Sequence, residues 1–308
     1  MGILQNDTLL VFKYIDLLFL PNHIHKVDIR GNLSIEYWPH WITHITFSDE
    51  YNSNIDNLPE MCKHISFGKK FIFKTNNWPP NLVSISFKIS PPNFDIPIGI
   101  KKVEIYEYEG SRSNQLINLL PSTLEELKIH NHYNDELLHL PNNLKKLSIG
   151  CNFHKSIDFI PDTIQDLVMG DYYKVPLNKL PKSLIYLNLG KRYNLNIPLH
   201  NCPKIKKICL GNIHQNQIWP KSIEEMTVHH LHGVVFNFPS NLKFLRLEGN
   251  TYTNRFIDFL PDTLETIIIG TELGSKISRF PKRCKTLIVP STFINNFSRN
   301  QTETYFYN

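Results

Sequence analysis

Residues 120–137 read LPSTLEELKIHNHYNDEL, and residues 180–197 read LPKSLIYLNLGKRYNLNI. Both segments begin with Leu-Pro and place apolar residues three, six and eight positions after the proline. Each then has Tyr-Asn at positions twelve and thirteen and an aliphatic residue at position sixteen. Agreement of this kind between distant segments predicts a repeat protein.

The repeat extends through nearly all of the 308 residues, and we count positions in each unit from its proline, which we call the anchor. The spacing between successive anchors varies from 18 to 24, with a mean of 20. Thirteen of the fourteen anchors are proline, in a chain with only 20 prolines, so chance does not explain the pattern. The anchors are Pro21, Pro39, Pro59, Pro79, Pro97, Pro121, Pro141, Pro161, Pro181, Cys202, Pro220, Pro239, Pro261 and Pro281.

The spacing within a unit predicts one short strand with one buried face. Apolar residues at +6 and +8 alternate with other types at +5 and +7, which is the period-two signal of a strand. Glycine is frequent at +9, where a positive φ can turn the chain out of the strand, and proline at the anchor suits a turn before the strand. A unit this short cannot also hold a long helix. We therefore predict a mainly β solenoid with a parallel sheet, built from about fourteen coils that bury their apolar residues by stacking.

The units resemble the FNIP repeat family, which is similar to the leucine-rich repeats. The matching stretches are residues 120–137, residues 180–197 and LPDTLETIIIG at 260–270, and the Phe-Asn of the family name stands here as Tyr51-Asn52, Tyr133-Asn134 and Tyr193-Asn194. The resemblance covers Leu20 to Val289. It implies a leucine-rich-repeat-like protein-interaction solenoid, of amoebal or large-virus origin, without enzymatic activity.

The N-terminus offers a second resemblance, to the first helix of an F-box. Residues 4–16, LQNDTLLVFKYID, carry apolar side chains where that helix is hydrophobic, but Pro21 opens the first repeat before the further helices of an F-box could follow. We expect a short helix that caps the open end of the array, or alternatively an F-box remnant. The predicted organisation is a helical cap or F-box remnant over 1–20, the solenoid over 21–290 and a C-terminal cap or tail over 291–308.

Composition excludes several classes of protein. The chain is 41% hydrophobic with a formal net charge of +5, and its basic residues are scattered, so we expect neither disorder nor a nucleic-acid partner. No apolar run approaches the roughly 18 residues of a membrane span, and no secretory signal is evident, so we expect no membrane partner. Five cysteines without a CxxC pair indicate a reduced, cytoplasmic protein (host cytoplasm for a viral source).

No sequence motif points to catalysis. Nucleotide-binding, zinc-protease and serine-hydrolase motifs do not occur. His229, His230 and His232, with His214 close by, suggest a metal site, but His214 and His232 fall at +12, where Tyr173 and Tyr193 stand in other coils. Stacked side chains in the coil interior are therefore the favoured interpretation. We expect no enzyme, no cofactor and no metal.

The outward positions +5 and +7 carry the functional prediction. Lys102, Glu126, Lys146 and Asp166 alternate in charge at +5, which predicts a ladder of ion pairs across the sheet. Toward the C-terminus the same positions become larger and more apolar, and an exposed strip of this kind indicates a contact surface. The predicted protein-binding residues are Tyr186, Phe244, Arg246, Ile268 and Ile288.

Three functions remain open at this stage. The first is a non-enzymatic scaffold that binds a protein partner of unknown identity through the sheet face. The second is the substrate receptor of a cullin-type ubiquitin ligase, with the F-box-like N-terminus bound to the ligase adaptor. The third is a structural or particle-associated protein without a specific partner. For Ile268 and Ile288 a separate alternative to partner binding is that the C-terminal tail from Phe293 to Tyr307 folds back over them.

Overall fold

A computed structural model describes the chain at residues 3–5, 7–72, 75, 77–89, 96–107, 117, 119–131, 133–214, 216–230, 237–248, 259–270, 281–290 and 303–307. Two compact units are present, Met1–Ile149 and Gly150–Asn308. The sequence predicted one array over 21–290. Each coil of a repeat array contacts only the coils next to it, so the array has no single hydrophobic core. One continuous repeat can therefore divide into two compact units.

Unit 1 (Met1–Ile149) contains nine strands and the short helix α1 among its described residues, and Ile117 is also helical. Its elements are β1 Ile3–Gln5, β2 Thr8–Val11, α1 Ile15–Leu18, β3 Lys26–Ile29, β4 His44–Phe47, β5 His64–Phe67, β6 Ser84–Ile89, β7 Lys102–Glu107, β8 Glu126–Asn131 and β9 Lys146–Ile149. Strands β2 to β9 pair consecutively and in parallel.

Unit 2 (Gly150–Asn308) contains, where the structure describes it, eight strands and a turn of 3-10 helix at Leu199–Asn201, and Phe259 is also in 3-10 conformation. Its strands are β10 Asp166–Met169, β11 Tyr186–Asn188, β12 Lys207–Leu210, β13 Glu225–Val228, β14 Phe244–Leu247, β15 Thr266–Ile269, β16 Thr286–Pro290 and β17 Glu303–Tyr307. All eight pair consecutively and in parallel.

The predicted mainly β, leucine-rich-repeat-like solenoid is confirmed. Each of the fourteen anchors is followed by one of the strands β3 to β16. The strands pair with equal repeat positions opposite each other, for example Glu126 opposite Lys146 and Leu127 opposite Leu147. A register shift of one residue would turn every apolar side chain to solvent, so the alternation at +6 and +8 specifies this register.

The interior of each coil is filled by the predicted apolar positions. Leu144, Leu147 and Ile149 at +3, +6 and +8 are at most 1% exposed, and full burial of such a side chain contributes about 1.5–3 kcal/mol. The aromatic residues at +12 stack from coil to coil, with the ring centroids of Tyr173 and Tyr193 6.1 Å apart. Stacking of equivalent residues therefore builds the core that no single coil could form.

The anchor residue is the acceptor of a tight turn. The backbone N–H of Leu144 donates to the carbonyl of Pro141 at 3.0 Å, and the N–H of Leu124 donates to that of Pro121 at the same distance. Proline serves here because the turn uses its carbonyl and does not need its missing N–H. The prediction of a turn before each strand is confirmed at these units.

Glycine at +9 is required where the backbone of the preceding coil comes close. Gly190 has a φ of +72°, and a Cβ at this position would lie 2.5 Å from the carbonyl oxygen of Gly170. A larger residue would have to displace backbone rather than a flexible side chain. The glycine therefore permits both the turn and the close stacking of coils.

The helix predicted over residues 4–16 is wrong. Residues 3–5 and 8–11 form the antiparallel pair β1–β2, in which Ile3 lies opposite Leu10, and helix α1 covers only Ile15–Leu18. Asp7 makes the reversal with a φ of +61°, which aspartate tolerates better than most residues. Strand β2 pairs with β3 and satisfies backbone groups that a helix would leave open at the sheet edge. The N-terminal cap is thus mainly β.

The C-terminal segment also contributes a strand. β17 pairs in parallel with β16, so that Ile288 lies opposite Tyr305. The described part of the tail therefore extends the sheet in its own plane instead of folding over Ile268 and Ile288, while Phe293 lies outside the described residues. In the part of the chain that the structure describes, no helix has the length and apolar character needed to cross a membrane.

Candidate functional site

A groove of about 610 Å³ lies on the outward sheet face of unit 2. It crosses strands β11 to β14, whose outward side chains form two rows in register. The +5 row consists of Tyr186, Lys207, Glu225 and Phe244, and the +7 row consists of Asn188, Cys209, Thr227 and Arg246. We call this surface the β11–β14 groove.

The aromatic residues stand at the two ends of the +5 row, with the small side chains of Cys209 and Thr227 between them in the +7 row. Tyr186 and Phe244 are both half-buried. Three strand spacings of about 4.8 Å separate them, or roughly 14 Å. Burial raises the pKa of Tyr186, so its hydroxyl is a neutral hydrogen-bonding group. The groove therefore has an aromatic side chain at each end and small side chains between them in the +7 row.

The charged side chains around the groove are paired with one another. Lys207 lies 2.7 Å from Glu225 across β12 and β13, and Arg246 Nε donates to Glu248 at 2.9 Å. Lys191 and Asp171 form a looser pair at 3.7 Å. Exposed pairs of this kind contribute only about 0–1 kcal/mol each to stability. Their effect is to leave the rim without a strong charge of either sign.

Three polar side chains form a hydrogen-bonded chain along one wall of the groove. His229 Nδ1 lies 2.8 Å from Glu248 Oε2, and His229 Nε2 lies 3.5 Å from Cys209 Sγ. Burial raises the pKa of the Cys209 thiol to about 11, and the carboxylates of Glu248 and Asp171 act in the same direction. Burial lowers the pKa of His229 and outweighs the opposite effect of Glu248. Thiol and imidazole are therefore both neutral near pH 7.

The structure places three of the five predicted binding residues together. Tyr186, Phe244 and Arg246 line the groove. Ile268 and Ile288 continue the +7 row beyond Arg246 on β15 and β16, where both are half-buried. They extend the surface without lining the groove.

Sequence reasoning missed the link between Cys209, His229 and Glu248. Each lies one coil further along the chain than the previous one, so no local motif contains them. Their repeat positions could have indicated this link. Side chains at +7 and +9 point to the same face of the sheet and lie next to each other on adjacent strands. The sequence instead grouped His229 with its chain neighbours.

Among the described residues, the histidines suggested as metal ligands do not form a group that could hold a metal ion. His214 stands at the +12 position, half-buried, and its Nδ1 accepts from the N–H of Asn216. His232 lies outside the described residues. Within the described ranges, no group of three or more histidine, cysteine or acidic side chains could hold a metal ion.

Of the charge ladder predicted over Lys102, Glu126, Lys146 and Asp166, the structure shows the pair of Lys102 and Glu126 on the outward face of unit 1. Glu126 lies 3.1 Å from Lys102 and 3.3 Å from Lys128. Beyond them Glu104 contacts His130 at 2.7 Å, and the His130 ring stacks on Tyr106 with centroids 4.7 Å apart. The outward charges around β7 and β8 therefore pair with one another, as their alternating signs predicted.

Comparison with known families supports the repeat assignment. The family model described as "FNIP Repeat" matches residues 33–70. Residues 33–70 therefore match an FNIP repeat, and the other units of the chain follow the same repeat spacing. Comparison with curated proteins found no match.

Two solved structures resemble this repeat protein. CroV588, described as a novel circular LRR protein structure, matches with a TM-score of 0.62 and 20% identity over 92% of this chain and 50% of that chain. YopM from Yersinia enterocolitica WA-314 matches with a TM-score of 0.46 and 17% identity over 88% of this chain and 56% of that chain. The chain therefore spans about half the length of the solved chains it matches, and the likeness to CroV588 concerns the fold.

Proposed function

We propose that this repeat protein is a non-enzymatic scaffold that binds a protein partner through the β11–β14 groove. Leucine-rich-repeat-like solenoids typically serve protein–protein interaction. The observation that carries the proposal is the placement of Tyr186, Phe244 and Arg246 around one groove, because aromatic and arginine side chains dominate binding hot spots. The five free cysteines support a reducing, cytoplasmic setting for this interaction.

The partner presents an extended or irregular segment of low net charge. The roughly 14 Å between Tyr186 and Phe244 matches about four residues of extended chain. Because the rim charges are already paired, a strongly charged partner would have to break these pairs at a cost. An apolar side chain above Cys209 and Thr227, flanked by contacts to the two aromatic rings, satisfies the shape and polarity of the groove.

The test is retention of a partner from amoebal lysate by immobilised protein. We expect the double variant Phe244→Ala with Arg246→Ala to abolish retention at an unchanged unfolding midpoint. The matched control, Lys102→Ala with Lys146→Ala on the face of unit 1, should retain the partner. Loss of retention in the control alone would mean that the wrong face was chosen. Failure of the wild type to retain any partner would favour a structural protein without one.

The ligase-receptor alternative rests on the exposed N-terminal apolar side chains. Phe12, Ile15, Leu18 and Phe19 are all exposed, Phe19 by 79%. Deletion of residues 1–20 would remove β2 from the sheet, so point variants are the better test. If the ligase adaptor is the partner, Phe12→Ser with Phe19→Ser should abolish its retention, whereas the groove double variant should keep it.

A further inference from the structure

Cys209, His229 and Glu248 come from three consecutive coils of unit 2. Cys209 lies on β12, His229 directly follows β13, and Glu248 directly follows β14. Their side chains form a continuous chain, with 3.5 Å between sulfur and His229 Nε2 and 2.8 Å between His229 Nδ1 and the carboxylate. A nucleophile next to a base that is itself oriented by a third group is the usual arrangement of an activated thiol.

The hydrogen bonds assign the tautomer of His229. A carboxylate can only accept, so Nδ1 carries the proton and donates it to Glu248. Nε2 then has a free lone pair directed at Cys209 and accepts the thiol S–H. Arg246 Nε donates to the second oxygen of Glu248 at 2.9 Å and holds that carboxylate in place. His229 is thus oriented to take a proton from the thiol.

The chain opens onto the β11–β14 groove, since all three residues line it. The thiol therefore faces the groove, through which a small substrate can approach it.

Three other cysteines differ in their surroundings. The thiols of Cys62, Cys202 and Cys284 are buried in the coil interior and donate to backbone carbonyls at 3.6 to 3.7 Å. A carbonyl group cannot accept the thiol proton as a base. These cysteines therefore serve as internal controls for the reactivity of Cys209.

We propose that Cys209 is an acylation site that accepts an acyl group from a thioester. Its sulfur attacks the carbonyl carbon while the thiol proton passes to His229 Nε2. The carbon–sulfur bond of the donor then breaks, and the leaving thiolate takes the proton from His229. One thioester is exchanged for another, so no oxidant or reductant is needed. Modification is stoichiometric and would place the acyl group inside the groove.

The protonation states favour this route over attack by a free thiolate. With the pKa of Cys209 raised to about 11, almost no thiolate exists at pH 7, so the reaction depends on His229 as base. The lowered pKa of His229 keeps the imidazole unprotonated and able to accept. The charged and titratable groups that act on it are Glu248, Lys191, Asp171 and His230. Acylation should accordingly rise with pH through the titration of His229 and then level off.

The experiment uses the full chain with the acetyl thioester of N-acetylcysteamine as the probe. Peptide mass spectrometry should show acetylation at Cys209, removable by hydroxylamine, and little at Cys62, Cys202 or Cys284. His229→Gln should slow acetylation on the order of a hundredfold, the size of a typical general-base contribution. Glu248→Gln should cause a smaller loss. His200→Gln, the same substitution at an exposed histidine that does not line the groove, is the matched control and should leave the rate unchanged.

The same sample distinguishes unfolding from loss of the general base. In an unfolded variant the probe would also acetylate Cys62 and Cys202. The proposal is overturned if Cys209 reacts no faster than the interior cysteines in the wild type. It is equally overturned if His229→Gln leaves the rate of a folded protein unchanged, or if the rate increases with hydroxide over the whole pH range. Partner retention is measured separately with Phe244→Ala, which leaves Cys209, His229, Glu248 and Arg246 in place, so failure of the proposed function does not decide the acetylation result.

Discussion

The outward sheet faces of units 1 and 2 share one backbone repeat but differ in chemistry. In unit 1 the +5 and +7 positions around β7 and β8 hold two lysines and two glutamates that pair with one another, namely Lys102, Glu104, Glu126 and Lys128. In unit 2 the same positions hold Tyr186, Cys209 and Phe244, which line a groove. The interior positions +3, +6 and +8 are apolar in both units. A repeat array can therefore vary its outward face without changing the core that holds it together.

The largest expected effect tests whether the +6 position is buried in each of the two units. Leu147→Asp in unit 1 and Leu187→Asp in unit 2 would each bury an unpaired charge at a position that is at most 1% exposed. The free energy of unfolding should fall by at least about 3 kcal/mol in both. Urea unfolding followed by circular dichroism measures the loss.

Outward neighbours on the same strands are the controls. Ser148→Asp and Asn188→Asp change positions that are half-buried on the sheet face, and their unfolding midpoints should remain close to the wild type. If the interior and outward variants of either unit were equally destabilised, the assignment of faces in that unit would be wrong.

The second prediction compares two glycines with positive φ. Gly190 in unit 2 has a φ of +72° and backbone atoms close to the site of a Cβ, whereas Gly31 in unit 1 has a φ of +82° and nothing within 4 Å. Gly31→Ala should cost only the conformational strain, about 1–2 kcal/mol. Gly190→Ala should cost clearly more, because the preceding coil must also move. Equal losses of unfolding free energy would show that the coil-to-coil contact at Gly190 is unimportant.

The third prediction concerns pH and is specific to unit 1. The rings of His44 and His64 stack with centroids 4.3 Å apart. Burial, with the neighbouring His64 and lysine charges, lowers the pKa of His44 from 6.5 to about 4, and burial also lowers that of His64. Between these pH values the unfolded chain binds more protons than the folded chain, so stability must fall as the pH is lowered from about 6.5 to 4.

Urea unfolding at a series of pH values measures this dependence. The double variant His44→Gln with His64→Gln should show a weaker loss of stability across the same window. A pH dependence identical to that of the wild type would exclude the stacked histidines as its cause.

The smallest expected effect is that of the charge ladder itself. A double-mutant cycle with Lys102→Ala and Glu126→Ala should give a coupling energy of about 0–1 kcal/mol, because both side chains are partly exposed to water. The coupling should shrink further in 1 M salt, where the Debye length is about 3 Å. A coupling of several kcal/mol that persists in high salt would mean that the ladder contributes to stability as much as the core does.

The repeat register was predictable because it depends on local spacing. Pro141, Leu147 and Tyr193 each stand at a repeat position whose structural role recurs many times, and the structure confirms the turn, the strand and the stacked ring at these positions. The N-terminus was not predictable in the same way. Residues 8–11 pair with strand β3 of the next coil, which would otherwise be the edge of the sheet. The spacing of apolar residues near the N-terminus resembles that of a helix and does not show that this edge is available.

Single exceptions inside the repeat were also beyond prediction. Gln217 is 2% exposed, and its side-chain amide pairs with both the N–H and the carbonyl of Ile197 in the preceding coil at 2.9 Å. A buried glutamine is tolerated because its hydrogen bonds are satisfied. That satisfaction depends on backbone groups of another coil, which a sequence pattern does not show.

The sequence by itself determined the coil length, the turn, the strand and the identity of the buried residues. These follow from steric and apolar preferences that act within a single coil and recur in every unit. Tertiary structure alone decided which outward side chains meet. Cys209, His229 and Glu248 become a chain, and Tyr186 and Phe244 become opposite ends of one groove, because parallel pairing in register brings equivalent positions of successive coils about 5 Å apart. The core depends on residue type at each position, whereas the site depends on which neighbours the stacking provides.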